Sequence, residues 1–167
     1  MQEYPEFDVT SPIGGSPLED FNIETEYVAD PLLADNTYKG IITKVELLPD
    51  TMVIKFTVSF QGNDGMTCSD GITPVDGKQS TYTLWLPKKG DDLIKSSFSS
   101  LTKRQEAIRG IKRFSDSMKI SIGTAKDISE AIQDQKWLSI PVFAKVKSRA
   151  VDGKIYNQIK KLERQIG

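Results

Sequence analysis

Apolar and polar residues alternate in several separate stretches of this chain, and a period of two is the mark of strands with one buried face. TMVIKFTVSF is the clearest: Met52, Ile54, Phe56, Val58 and Phe60 face one way, Val53, Lys55, Thr57 and Ser59 the other. Before it, TYKGIITKVELL sets Ile41, Thr43, Val45 and Leu47 against Tyr38, Gly40, Ile42 and Lys44, with Gly40 permitting a bend. Pro49-Asp50 supplies the turn between the two strands. STYTLWL has Tyr82, Leu84 and Leu86 on an apolar face and Thr81, Thr83 and Trp85 on a polar one. WLSIPVFAKVKS alternates again. Leu138, Ile140, Val142, Ala144 and Val146 are expected inside, with Trp137, Ser139, Phe143, Lys145 and Lys147 outside and Pro141 at an edge or bulge. AVDGK is a tight hairpin signal, and IYNQIKKLE follows as the last strand.

Elsewhere the period lengthens. Ala107, Ile111, Phe114 and Met118, with Ile108 alongside, predict a helix over 102–118 that Thr102 caps. Ile128, Ala131 and Ile132 predict a short helix over 125–135. Residues 61–79 read as a long Gly/Asp-rich loop. Residues 1–35 hold Pro5, Pro12, Gly14, Gly15, Pro17 and Pro31 and no sustained period, so they read as a mostly irregular arm before a domain at 36–167. The domain is mainly β. Three strands, a packed helix and two strands, with a long first strand carrying a glycine, is the element order of the OB-fold, a five-stranded Greek-key barrel. A split sheet with a packed helix has the same order.

Composition narrows the chemistry. There are no histidines and one cysteine, Cys68, which excludes a Ser-His-Asp triad, a Cys-His dyad, an intrachain disulfide and any zinc site rich in His or Cys. Asp64, Asp70 and Asp76 have the wrong spacing for an EF-hand, and no Gly-rich phosphate loop is present. Cys68 has no basic neighbour in sequence and reads as an ordinary thiol. A non-enzyme is expected, with no catalytic residue, cofactor or metal. No apolar run approaches the ~20 residues that span a bilayer, and MQEYPEFDVTSP lacks the features of a signal peptide, so no membrane association and a cytoplasmic location are expected.

The net charge of −1 hides an asymmetry. Residues 1–35 hold nine acids (Glu3, Glu6, Asp8, Glu19, Asp20, Glu24, Glu26, Asp30, Asp35) and no base. The remaining 14 acids face all 22 bases, so the arm carries −9 and the body +8. A basic body fits a polyanion partner, and an acidic arm either competes for that surface or is a solvated tail.

Four segments carry a resemblance to a known family: YKGIITKVELLPD with MVIKFTVSF, LWLPKKGDD, QEAIRGIKRF and VDGKIYNQIKKL. Together they resemble small bacteriophage single-stranded-DNA-binding proteins of the OB-fold type, over residues 36–163. The nearest local match is a G-x-x-Y/F-N-x-I hairpin, here Gly153, Tyr156, Asn157 and Ile159. Many phage and bacterial single-strand binders carry an acidic C-terminal tail, whereas this sequence ends KKLERQIG and its acids lie at the other end. The resemblance implies a viral protein of phage DNA replication, binding single-stranded DNA in the cytoplasm of the infected host. Replication or recombination proteins are implied as further partners, and a homo-oligomer stays open.

Binding a single strand without sequence preference needs cations along the phosphates and flat side chains under the bases. Lys55 (with Thr57 and Ser59) and Trp85 (with Thr83) lie on the outer faces of strands two and three, the usual OB-fold platform. Trp85 either stacks on a base or packs beneath the 88–101 segment or the helix. Lys147, Arg149 and Lys154 frame the last hairpin with Tyr156 beside them, and Phe143 and Lys145 share the outward side of strand four, Phe143 having packing as its alternative. Lys103, Arg104, Arg109, Lys112 and Arg113 crowd the helix against one acid, Glu106. Lys88 adds a cation beside Lys89, with Asp91 and Asp92 behind it. The competing reading is a small phage structural or assembly protein that uses its acidic arm for subunit contacts.

Overall fold

The computed structural model describes residues 17–166. In chain order they form α1 (Ile23–Glu26), β1 (Asn36–Leu48), β2 (Val53–Phe60), β3 (Gln79–Trp85), α2 (Lys103–Met118), α3 (Ala125–Gln133), β4 (Pro141–Val151) and β5 (Lys154–Arg164). The chain divides into two compact units between Asp30 and Pro31. In the first unit Asn22 caps α1, its Oδ1 accepting from the Glu24 N–H (2.9 Å), and Phe21, Ile23, Tyr27 and Val28 are exposed. Glu3, Glu6, Asp8, Pro5, Pro12, Gly14 and Gly15 of the expected arm lie outside the described residues.

The second unit takes in residues 31–35 as well. Leu33 is buried, its N–H donating to Asn157 Oδ1 (2.9 Å) and its C=O accepting from Asn157 Nδ2 (3.0 Å). Asp35 accepts from the Ser148 N–H (2.8 Å) and hydroxyl (2.9 Å).

The five strands form one antiparallel sheet in the order β3-β2-β1-β4-β5. β1 is long enough to pair twice, with β4 over its first half and with β2 over its second. A Cβ on Gly40, where both pairings meet, would lie 2.5 Å from Val58 Cγ1 and 2.8 Å from the Ser59 carbonyl, so only glycine fits this close approach. The bulge at Thr43 inserts one residue between Ile42 and Lys44. It shifts the inward phase, which runs through Tyr38, Gly40 and Ile42 and resumes at Val45. β2 has no bulge and keeps its alternation, with Ile54, Phe56, Val58 and Phe60 buried.

β3 and β5 are the edges, and the alternation of directions makes them run the same way. They approach each other without pairing, so the sheet is not closed into the expected barrel. α2 packs against both edges, and the Ser117 hydroxyl donates to the Leu162 carbonyl of β5 (2.8 Å). The helix thus covers the seam and satisfies part of an edge that strand pairing leaves free. The helices expected over 102–118 and 125–135 are both present, as α2 and α3. Each starts at a threonine in a capping box, Thr102 with Gln105 and Thr124 with Asp127.

Phe56 is central to the core, 4.9 Å from Phe114 and 5.7 Å from Trp137 between ring centroids, while Tyr82 stacks on Phe114 at 5.6 Å. Trp137, expected outside, is only 5% exposed. Residues 137–140 are not strand, because the left-handed Gln135 (φ 53°) and Ser139 (φ 66°) turn the chain and break the alternation. β4 begins at Pro141, a first-residue position that tolerates the missing N–H, and from there Val142, Ala144 and Val146 face inward as expected. Asp152 (φ 51°) and Gly153 (φ 77°) make the two-residue turn to β5. The 61–78 loop sends Cys68 and Val75 into the core, and buried Asn63 ties it to Lys39 of β1. Among the described residues no helix is long and apolar enough to cross a membrane.

Candidate nucleic-acid interface

Strand register decides which candidates share a face. Lys55 lies opposite Thr83 on β3 and Glu46 on β1, and the next row is Leu48, Val53 and Trp85. Trp85 and Lys55 are therefore neighbours on the outer face. Trp85 is 60% exposed, so the 88–101 segment does not bury it. Glu46 pairs with Lys44 (3.4 Å), and Lys55 forms no ion pair with another described residue.

A second group sits on β4 and β5. Phe143 is opposite Lys39 and Glu163, Lys145 opposite Thr37 and Lys161, Lys147 opposite Gln158, and Arg149 opposite Tyr156. Lys145, Lys147, Arg149, Lys154 and Tyr156 are exposed, whereas Phe143 is half-buried. None of these four cations has a carboxylate within 4.0 Å among the described residues. Asp35, at the base of the hairpin, is held below the usual aspartate range chiefly by its hydrogen bonds from Ser148, and Lys147 adds to the effect. It stays ionised and keeps the hairpin base fixed.

The two groups occupy opposite ends of the sheet. The row of Trp85 meets β1 at Leu48 and that of Lys145 meets it at Thr37. At about 3.3 Å per residue that is roughly 36 Å along a flat strand. This is the length of an extended track, not of one pocket, and Lys39, Lys44 and Lys55 lie between.

The cations of α2 do not form one surface. Eleven consecutive helical positions at about 100° per residue go fully round the axis, so closeness in sequence does not put these side chains on one side. Lys112 pairs with Asp116 (2.9 Å) and Arg109 with Glu106 (3.9 Å). Arg104 and Lys112 border an apolar groove between α2, α3 and the β1–β2 turn, lined by Leu47, Met52, Ile108 and Ile122 among others. Arg113 is exposed. Lys103 alone joins Trp85, in a groove of about 460 Å³ that Lys88 also lines.

That groove holds a residue the sequence reading missed. Phe98 lines it and is 91% exposed. The only signal was one aromatic ring in the serine run SSFSS, with no periodicity to give it a face. Tyr82, also lining the groove, has its hydroxyl pKa raised by burial, as does the thiol of Cys68, so neither ionises at neutral pH. Lys88 sits in a closed turn, its N–H donating to Asp91 Oδ2 (2.8 Å). Among the described residues no three Asp, Glu, Cys or His side chains gather into a group that could hold a metal ion.

No known protein-family model matches this chain, and no curated protein matches it.

Proposed function

We propose that this protein binds single-stranded DNA with little sequence preference, on the outer face of a sheet that is an OB-fold variant with its β3–β5 seam unpaired. Strand order and strand directions support the fold part of this reading. The observation that carries the function is Trp85, a large aromatic ring left 60% exposed on a strand face beside Lys55, which has no ion-pair partner among the described residues. Bases stack on such a ring at ~1–3 kcal/mol each, and Lys55, Lys145, Lys147, Arg149 and Lys154 hold phosphates along the track. Phosphate contacts position a strand without reading it, which accounts for the low sequence preference. Binding of this kind is non-enzymatic and uses no cofactor. The resemblance to phage single-strand binders supports a role in phage DNA replication or recombination, in the host cytoplasm.

Anisotropy titration with a labelled single-stranded oligonucleotide and the same sequence as a duplex tests this. Sub-micromolar affinity for the single strand and weaker binding of the duplex, whose bases are already stacked, are expected. No binding at low salt overturns the proposal.

One observation favours the assembly reading as well. Phe21, Ile23, Tyr27 and Val28 are exposed among the acids of the arm, a composition suited to a subunit contact. Light scattering of full-length and arm-deleted protein separates the two, since an arm-dependent oligomer without DNA affinity supports assembly alone.

A further inference from the structure

The groove between β3, the 94–101 loop and the first half of α2 has features that the fold does not require. Its two exposed rings, Trp85 and Phe98, come from a strand and from a loop held in shape by its own hydrogen bonds. The Lys103 N–H donates to the Ile94 carbonyl (2.7 Å), the Ser96 N–H to the Leu101 carbonyl (2.8 Å), and the Phe98 N–H to Ser96 Oγ (3.1 Å). Phe98 is thus held out at the tip of an ordered loop, where it contributes little to the core.

The helical wall of the groove includes Gly110, inside α2. Glycine at a helix interior costs ~1 kcal/mol relative to alanine. A Cβ at Gly110 would meet nothing within 4 Å, so packing does not demand glycine there, and its effect is to keep the groove open. Charge is arranged in layers. Asp91 and Glu106 are half-buried in the groove, while Lys88 and Lys103 are exposed. Asp91 Oδ2 already accepts from the Lys88 N–H and Glu106 Oε1 from the Ser99 hydroxyl, so it is their remaining lone pairs that can accept from a neutral base, while the lysines attract phosphates outside.

We propose that this groove is a nucleotide subsite, taking one unstacked base of a single strand against Trp85 and Phe98, with Lys88 and Lys103 on the flanking phosphates. The proposal rests on the single-strand reading above. The volume is in the range of small-molecule sites.

The test measures affinity of the full chain for oligodeoxycytidylate across a salt series, for wild type, Phe98→Ala and Gly110→Gln. Glutamine is a better helix former than glycine, so a loss of affinity in Gly110→Gln with an undiminished melting temperature cannot come from unfolding. Each variant is expected to weaken binding about tenfold with the salt slope unchanged, because a base contact and not a phosphate contact is lost. If the wild type binds with steep salt dependence and both variants match it, the subsite is overturned and the outer-face reading stands. If the wild type does not bind, both are overturned.

Discussion

Replacing Trp85 with alanine removes the indole from the last residue of β3 and leaves the backbone pairing with β2 in place. A tryptophan presents up to about 250 Å² for burial. With 60% of the residue exposed, roughly 100 Å² is already covered and about 150 Å² is open. At ~25 cal/mol per Å² the covered part stabilises the fold by up to about 2.5 kcal/mol, of which alanine retains some. A base covering half of the open area adds another ~2 kcal/mol, inside the range for base–aromatic stacking. Trp85→Ala should therefore lower stability by about 1–2 kcal/mol in urea unfolding and weaken single-strand binding roughly 30-fold. The salt slope should not change. Tryptophan emission offers a second readout, because the other indole, Trp137, is 5% exposed in the core and shielded from acrylamide. Ligand-induced quenching should be confined to the acrylamide-accessible component and vanish in the variant. Wild-type affinity in Trp85→Ala, with the fold intact, would refute the stacking argument.

Deleting residues 1–30 removes eight acids and no base, taking the net charge from −1 to +7, and should tighten single-strand binding at low salt but not at high salt. Equal or weaker affinity after deletion rejects competition by the arm, and the cut belongs before Pro31 because Leu33 and Asp35 are bonded into the second unit. Asn63→Ala should cost about 2–3 kcal/mol in urea unfolding, since buried Asn63 accepts from the Lys39 N–H (2.8 Å) and donates to its carbonyl (2.8 Å) and to Asp76 (2.9 Å). No measurable loss contradicts that role for the 61–78 loop. Hydrogen bonds lower the pKa of Asp35, Asp70 and Asp127, the donors being Ser148, Thr73 with Ile72, and Gly123 with Thr124. A lowered folded-state pKa gives stability that is fully present above the unfolded value of about 3.9 and fades as pH falls through the lower folded value. Urea midpoints should drop below about pH 4, and Asp70→Asn should remove part of that drop; a drop unchanged in the variant counts against the Asp70 bonds.

Sequence pattern revealed β2 and β3 well because neither has a bulge, although Val53, expected outward on β2, is buried. It misled at β1, where one extra residue at Thr43 reverses the inward phase, and at Trp137, where left-handed residues on either side turn the chain. Bulges and such turns shift a pattern by one residue without leaving a mark in residue type. Closure of the sheet was not legible either, since it depends on how β3 and β5 meet across α2, a long-range geometry. Of the candidate site, Lys55 and Trp85 were readable from alternation alone. The α2 cations were not, because a compact run in sequence is spread around a helix, and Phe98 gained its meaning only once its loop was placed beside β3.

The most direct measurement is the affinity for single-stranded DNA as a function of salt, with duplex DNA and RNA of matching sequence in parallel. Each phosphate held on a single strand contributes about −0.7 to the slope of log K against log salt, so engagement of about five outward cations gives roughly −3.5. A slope of that size, sub-micromolar binding of the single strand at low salt and weaker binding of the duplex are expected. A flat salt response, a preference for duplex, or no binding at low salt would contradict the proposed function.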